Sequence, residues 1–185
     1  SGGIRLCYAD GGEVMMQQAF PVQAWGSRYL TYHMLNNTNT DINDPFKNFY
    51  RIAVDDPTTV VRRNGTPMTG LVNNFYYEII DSTGGDYITA DKPIMVAQYT
   101  PGGNRCWNTS SIAYGDPEMI YLSPVEQGSK DALFYANRKT FIDFNYLNVM
   151  VQTTGIPSLR LDGAPFDPAN IITHPNNPAY SVAVA

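Results

Sequence analysis

The chain has 185 residues, 43% of them hydrophobic, and a formal net charge of -5. That supports a packed core in one large domain or two small ones, since domains cluster at roughly 100 to 150 residues. The acidic balance, with no basic cluster beyond the pairs Arg62, Arg63 and Arg138, Lys139, argues against a nucleic-acid partner.

No apolar run approaches the roughly 18 residues of a membrane-spanning helix, so membrane insertion is not expected. The opening Ser1, Gly2, Gly3, Ile4 lacks the charged and apolar regions of a secretory signal, and the chain reads as a soluble piece of something longer. Thirteen Tyr, eight Phe, thirteen Pro and fifteen Gly favour strands and turns, because aromatic and β-branched side chains suit a half-buried pleated surface. The expected fold class is all-β.

Residues 2–32 carry Gly-Gly, an Arg, Cys7 followed by Tyr8, a polar loop, an apolar run, Pro21-Val22, a Gln, Gly26-Ser27 and a second apolar run. Residues 102–135 repeat that order with Arg105, Cys106, Trp107, Pro124-Val125, Gly128-Ser129 and Leu133 to Tyr135. Pro21 and Pro124 are 103 residues apart, and Gly26 and Gly128 are 102 apart. Downstream, Asn64-Gly65 and Asp162-Gly163, 98 residues apart, are dipeptides that tolerate positive φ and favour two-residue hairpins.

The repeating unit is therefore about the size of a β-sandwich module. The expectation is a tandem pair of related antiparallel β-sandwich-like units, residues 1–91 and 92–185, which can share strands. The first is incomplete at its N-terminus and the second at its C-terminus. At their junction Asp86 to Thr89 closes the first unit and Lys92 to Tyr99 opens the second. There residues 87–127 read as two strands, one starting at Pro93 with the apolar run Ile94 to Ala97 and one at Met119 to Leu122, joined by a loop bearing Cys106 and Trp107. Residues 74–80 read as a strand with Phe75, Tyr77 and Ile79 on one face, and Tyr180 to Val184 as its counterpart.

Several segments together resemble the N-terminal region of the IgG Fc-binding protein family. They are the strand entry Lys92, Pro93, Val96; Gly115, Asp116, Pro117, Met119; the pair Trp25, Gly26; and Leu161, Asp162, Gly163. The family includes a secreted mucus protein and large bacterial surface proteins. The resemblance implies an extracellular, all-β, non-catalytic binding or adhesion region. Two positions depart from the mucus-protein pattern: each loop carries a single Cys, and Gln127-Gly128 stands where the first unit has Trp-Gly. The bacterial surface version fits these better.

Catalysis requires convergent titratable groups, and few are visible. His33 and His174 form no metal-binding pair, and Ser27, Ser82 and Ser129 lack a nucleophile elbow, so no enzyme and no cofactor are expected. Asp41, Asn43 and Asp44, or Asp55 and Asp56, could offer oxygens to Ca²⁺, but neither run completes the EF-hand pattern. They read more simply as turn carboxylates, and no metal is expected.

Cys7 and Cys106 hold equivalent places. They can form a disulfide if the units pack about a pseudo-two-fold axis, and cannot if the units lie end to end. Aromatics at loop tips supply contact area at low entropic cost, so the candidate ligand-binding residues are Trp107, Tyr99, Arg105, Tyr114, Tyr8 and Trp25. The bland alternative makes Trp25 a core residue and Trp107 a plug for its own loop. Expected partners are a host or environmental glycoprotein or glycan and neighbouring repeats of the same chain. Alternatives are a structural spacer without a ligand and a carbohydrate-binding module.

Overall fold

The computed structural model describes residues 16–34, 48–82, 84–100, 118–136 and 145–185. The chain is all-β, built from curled antiparallel sheets joined by short 3-10 turns.

One strand organises the larger sheet. It is β6, Tyr87–Thr100, numbered after β1 (Gly26–Leu30), β2 (Asn48–Val54), β3 (Val61–Arg63), β4 (Thr66–Pro67) and β5 (Tyr76–Ser82). It runs unbroken through the Asp91/Lys92 step, where the sequence suggests that one unit ends and another begins. Pro93 lies inside β6 at a corner. On one edge β1 pairs Gly26 with Ile94 and then Arg28 with Thr89, skipping the residues between. On the other edge β2 leaves at Ile94 and β3 joins at Ala90. A proline, which cannot donate to a ladder, is tolerated where pairing is interrupted in this way.

The corner folds the sheet over itself. The N-terminal half of β6 carries β1 on one side and the β3–β4 hairpin on the other. The C-terminal half carries β2, then β5, and on its opposite edge β7, Glu118–Tyr121.

The core fills the space between the two halves: Tyr29, Val61 and Ile88 from one, and Tyr50, Ile52, Val54, Tyr77, Ile79 and Val96 from the other. Ile52, Val61, Ile88, Ile94 and Val96 are fully buried. Tyr29 is anchored at the corner, where its hydroxyl donates to the Ile94 carbonyl at 2.6 Å and accepts from Gly26 N–H at 3.1 Å. On β5, Tyr77 and Ile79 face this core as the sequence suggests, but Phe75 precedes the strand and is 67% exposed.

A smaller sheet follows, made of β8 (Asn148–Gln152), β11 (Ile171–Thr173) and β12 (Tyr180–Val184) in the order β11-β12-β8, with the hairpin β9 (Arg160–Leu161) and β10 (Ala164–Pro165) between β8 and β11. It packs on the larger sheet through Tyr32, which lies among Val182, Val184, Met150 and Ile172. Asn148 Nδ2 donates to the His33 carbonyl at 2.8 Å, and Asn176 Nδ2 to the Gly85 carbonyl at 2.7 Å.

Local geometries recur at the spacings seen in the sequence. Pro21 and Pro124 each precede a one-turn 3-10 segment, Val22–Ala24 and Val125–Gln127, closed by the same backbone bonds. The hairpin turns Asn64-Gly65 (φ 52° and 84°) and Asp162-Gly163 (φ 50° and 84°) share a left-handed geometry, as a two-residue turn with positive φ at both positions requires. The two proline turns also meet. Gln127 Nε2 donates to the Ala24 carbonyl at 2.6 Å, Glu126 Oε1 accepts from Ser27 Oγ at 2.8 Å and Arg28 Nε at 3.0 Å, and Gly26 sits directly against the Pro124 ring.

Candidate functional site

Alternation along β2 sends Tyr50, Ile52 and Val54 into the main core and Phe49, Arg51 and Ala53 to the opposite face. Register then assembles two rows across that outer face. Glu78, Arg51, Ala97 and Tyr121 lie side by side across β5, β2, β6 and β7, and Phe49, Tyr99 and Met119 form the adjoining row.

Arg51 is the centre of this surface. Its guanidinium carbon lies 5.1 Å from the Tyr76 ring centroid, 5.5 Å from Phe49 and 5.8 Å from Tyr99, within the range of cation–π attraction. Its Nε donates to Glu78 Oε1 at 3.0 Å. Phe49 and Tyr99 meet edge to face at 5.4 Å, the arrangement favoured by opposed ring quadrupoles. Burial raises the Tyr99 phenol above its ordinary range, with the Arg51 charge opposing the shift.

The aromatic surface continues past β7. Phe20 contacts Tyr121 edge to face at 5.7 Å and stays 50% exposed. Its carbonyl accepts from Trp25 Nε1 at 2.9 Å, which fixes the half-buried indole beside it. The result is a strip of rings around a guanidinium whose charge is already partnered. Such a surface offers stacking area and hydrogen-bonding edges rather than an unpaired charge.

Of the residues singled out in the sequence, Tyr99 lies in this face and Trp25 at its margin. Tyr99 is almost fully buried, so it is a floor residue rather than a loop-tip aromatic. Tyr8, Arg105, Trp107, Tyr114, Cys7, Cys106, Asp41, Asn43 and Asp44 lie outside the described residues. The central members, Phe49, Arg51, Tyr76, Glu78 and Tyr121, went unrecognised because only the β5-β2-β6-β7 register brings them together. The Phe49–Arg51 alternation was their one local signal.

Asp56, Asp86 and His174 have structural partners. Asp56 accepts from Lys92 Nζ at 2.5 Å and from Thr58 N and Oγ1 at 2.8 and 2.7 Å, and these bonds hold its carboxyl down at about 2. Asp86 is nearly buried and accepts from Arg63 Nε at 2.8 Å and Asn64 Nδ2 at 2.7 Å, tying the β3–β4 hairpin to the start of β6. His174 is buried with its Nε2 3.1 Å from the Thr31 carbonyl, and burial lowers its pKa against the opposing influence of that carbonyl and Asp86. Among the described residues no group of three His, Cys, Asp or Glu side chains is placed to hold a metal ion, and no helix is long and apolar enough to cross a membrane.

A family model described as IgGFc binding protein matches residues 2–185. The chain belongs to the IgGFc-binding family. No curated protein and no solved structure matches it. Membership agrees with the resemblance carried by the Lys92-Pro93, Gly115-Asp116-Pro117 and Leu161-Asp162-Gly163 segments, and it associates this β-rich chain with a family named for binding.

Proposed function

We propose that this chain is a non-catalytic binding module of an extracellular, bacterial cell-surface protein, capturing a glycoprotein or its glycans in adhesion. The observation that carries the reading is the aromatic face around Arg51, with Phe20 and Tyr121 at its open end. Rings held rigidly on a sheet give up little conformational entropy on binding and suit both sugar faces and protein hot spots. The family's description adds a protein ligand of the immunoglobulin Fc type as one candidate, and the loop residues Arg105, Trp107 and Tyr114 join the site in this proposal.

The module is further read as two related units, residues 1–91 and 92–185. The matched proline turns and matched hairpins support that division, with β6 lying between β2 of the first unit and β7 of the second. Cys7 and Cys106 occupy equivalent places in it, and their pairing is tested by mass measurement without reduction after thiol labelling. Two labelled thiols in the oxidised protein would rule out the disulfide.

The functional test is an array of glycans and glycoproteins, immunoglobulin Fc included, probed with the native chain and with Phe20→Ala/Tyr121→Ala. Loss of two anchoring rings should weaken binding by about 30-fold or more, since one hot-spot aromatic contributes about 2 kcal/mol. A native chain that retains no glycoprotein or glycan, and scatters as a rigid rod, would instead support a spacer.

A further inference from the structure

One strand pair of the smaller sheet, β8 with β12, repeats the pairing of β2 with β5 in the larger one. In β2 and β5, Val54 N–H donates to the Phe75 carbonyl at 2.8 Å, and Ile52 and Tyr50 pair with Tyr77 and Ile79. In β8 and β12, Thr153 N–H donates to the Ala179 carbonyl at 2.9 Å, and Val151 and Val149 pair with Ser181 and Ala183. The approach to each second strand matches as well: Val72 N–H donates to the Tyr76 carbonyl at 2.8 Å, and His174 N–H to that of Tyr180 at 2.9 Å. By this register β8 corresponds to β2 and β12 to β5.

The correspondence ends at the next strand. On its other edge β2 pairs with β6 from Phe49 to Val54, whereas among the described residues β8 pairs only with β12. Leu147 and Ala185 exchange both backbone bonds, and Thr153 donates to Ala179. Odd-numbered residues therefore bond β12, and alternation turns the N–H and C=O groups of Asn148, Met150 and Gln152 toward the open edge.

A second, independent position is open in the same sense. β6 also covers β1, so Tyr29 and Leu30 are buried, while Tyr32, just past β1, is buried against the smaller sheet. Leu133 and Tyr135 lie 103 residues after Leu30 and Tyr32, the same spacing as the two prolines. There Leu133 is 101% exposed, Phe134 53% and Tyr135 86%. Two of the partners of β6, β2 and β1, thus have counterparts with nothing across from them among the described residues.

We infer that the open edge of β8 and the exposed Leu133 to Tyr135 segment form a docking site for an extended strand of another polypeptide. The strand adds antiparallel to β8 and has the alternation of β6, in which Ile94, Val96 and Gln98 face one way and Met95, Ala97 and Tyr99 the other. The inference rests on the two-unit reading above. Strand addition draws affinity from backbone bonds and specificity from alternate side chains, and an edge with three donor–acceptor positions that have no partner among the described residues is suited to it. It concerns a different surface from the Arg51 face, so the two can fail separately.

The probe is a synthetic peptide with the sequence of residues 87–100, added to the full chain. Saturable one-to-one binding is expected, with slowed amide exchange at Asn148, Met150 and Gln152 and shifted resonances at Leu133 to Tyr135. Gln152→Pro is the decisive variant, because Gln152 is exposed, its φ of -57° already suits proline, and its N–H faces the open edge. It should weaken binding at least tenfold with an unchanged circular dichroism spectrum, as should Leu133→Ala/Tyr135→Ala, while Tyr121→Ala leaves peptide binding intact. A peptide N-methylated at alternate residues should not bind. No protection at Met150 up to about 1 mM peptide would overturn the inference. So would equal binding of a scrambled peptide, or dimers of the chain alone that disappear with Gln152→Pro.

Discussion

The contact of the two proline turns offers the sharpest test of how the chain is assembled. A Cβ built on Gly26 would lie 2.2 Å from Pro124 Cβ, 2.7 Å from its Cγ and 2.9 Å from Glu126 Oε2. Carbon atoms pack at about 3.5 to 4.0 Å, so Gly26→Ala must drive the turns apart by more than about 1 Å. The Pro124 ring has no alternative rotamer to adopt. Separation would also stretch the bonds from Gln127 to Ala24 and from Ser27 and Arg28 to Glu126.

Overpacking of this kind costs about 1 to 3 kcal/mol, and the rigid partner places Gly26→Ala in the upper half of that range. Urea denaturation of native, Gly26→Ala, Pro124→Gly and the double variant forms a cycle in which removing the Pro124 ring relieves the clash. The expected coupling is at least about 1 kcal/mol in the direction of rescue. A Gly26→Ala variant within about 0.5 kcal/mol of native, or a double variant whose losses simply add, would refute the packing.

Three further outcomes follow from buried groups and turns. Asp86→Ala removes the acceptor shared by Arg63 and Asn64 and should cost about 1 to 3 kcal/mol in chemical denaturation, less than a sealed ion pair because Arg63 is partly exposed. Gly65→Ala meets no side chain but must hold φ at +84°, so a loss of about 1 kcal/mol is expected. For His174, burial keeps the folded-state pKa below the ordinary 6.5, so the unfolded chain takes up the proton first. Stability is then fully present above about pH 6.5 and falls as pH drops toward the folded pKa, at up to about 1.4 kcal/mol per pH unit. Denaturation midpoints of the native chain minus those of His174→Gln between about pH 7.5 and 5.5 should show that slope, and a flat difference would contradict it.

Much of the scaffold was legible because it depends on local chemistry. Asn64-Gly65 and Asp162-Gly163 announce turns that need positive φ, and aromatic and β-branched enrichment marks the strands, whereas Pro21 and Pro124 were legible only as matched landmarks and not as 3-10 turns. The failures are non-local. Pro93 resembles the start of a strand, yet it sits inside β6, because the ladder partners change at that corner and no donor is needed there. Arg51 shows nothing in its own segment that marks it as a centre, since Tyr76, Glu78 and Tyr99 reach it only through pairing of β2 with the two later strands β5 and β6. His174, which the sequence shows only as a histidine outside any metal-binding pair, lies almost fully buried with its ring bonded to Thr31, a contact 143 residues distant in sequence.

The central claim is that binding occurs on the outer face of β5-β2-β6-β7. Backbone and side-chain resonances of the isotopically labelled chain, followed during titration with a glycoprotein retained on the array, test it most directly. The account predicts that shifts concentrate at Phe20, Trp25, Arg51, Tyr76 and Tyr121 and that Phe20→Ala/Tyr121→Ala suppresses them. Saturable binding that leaves these five residues unmoved and shifts another surface would contradict it.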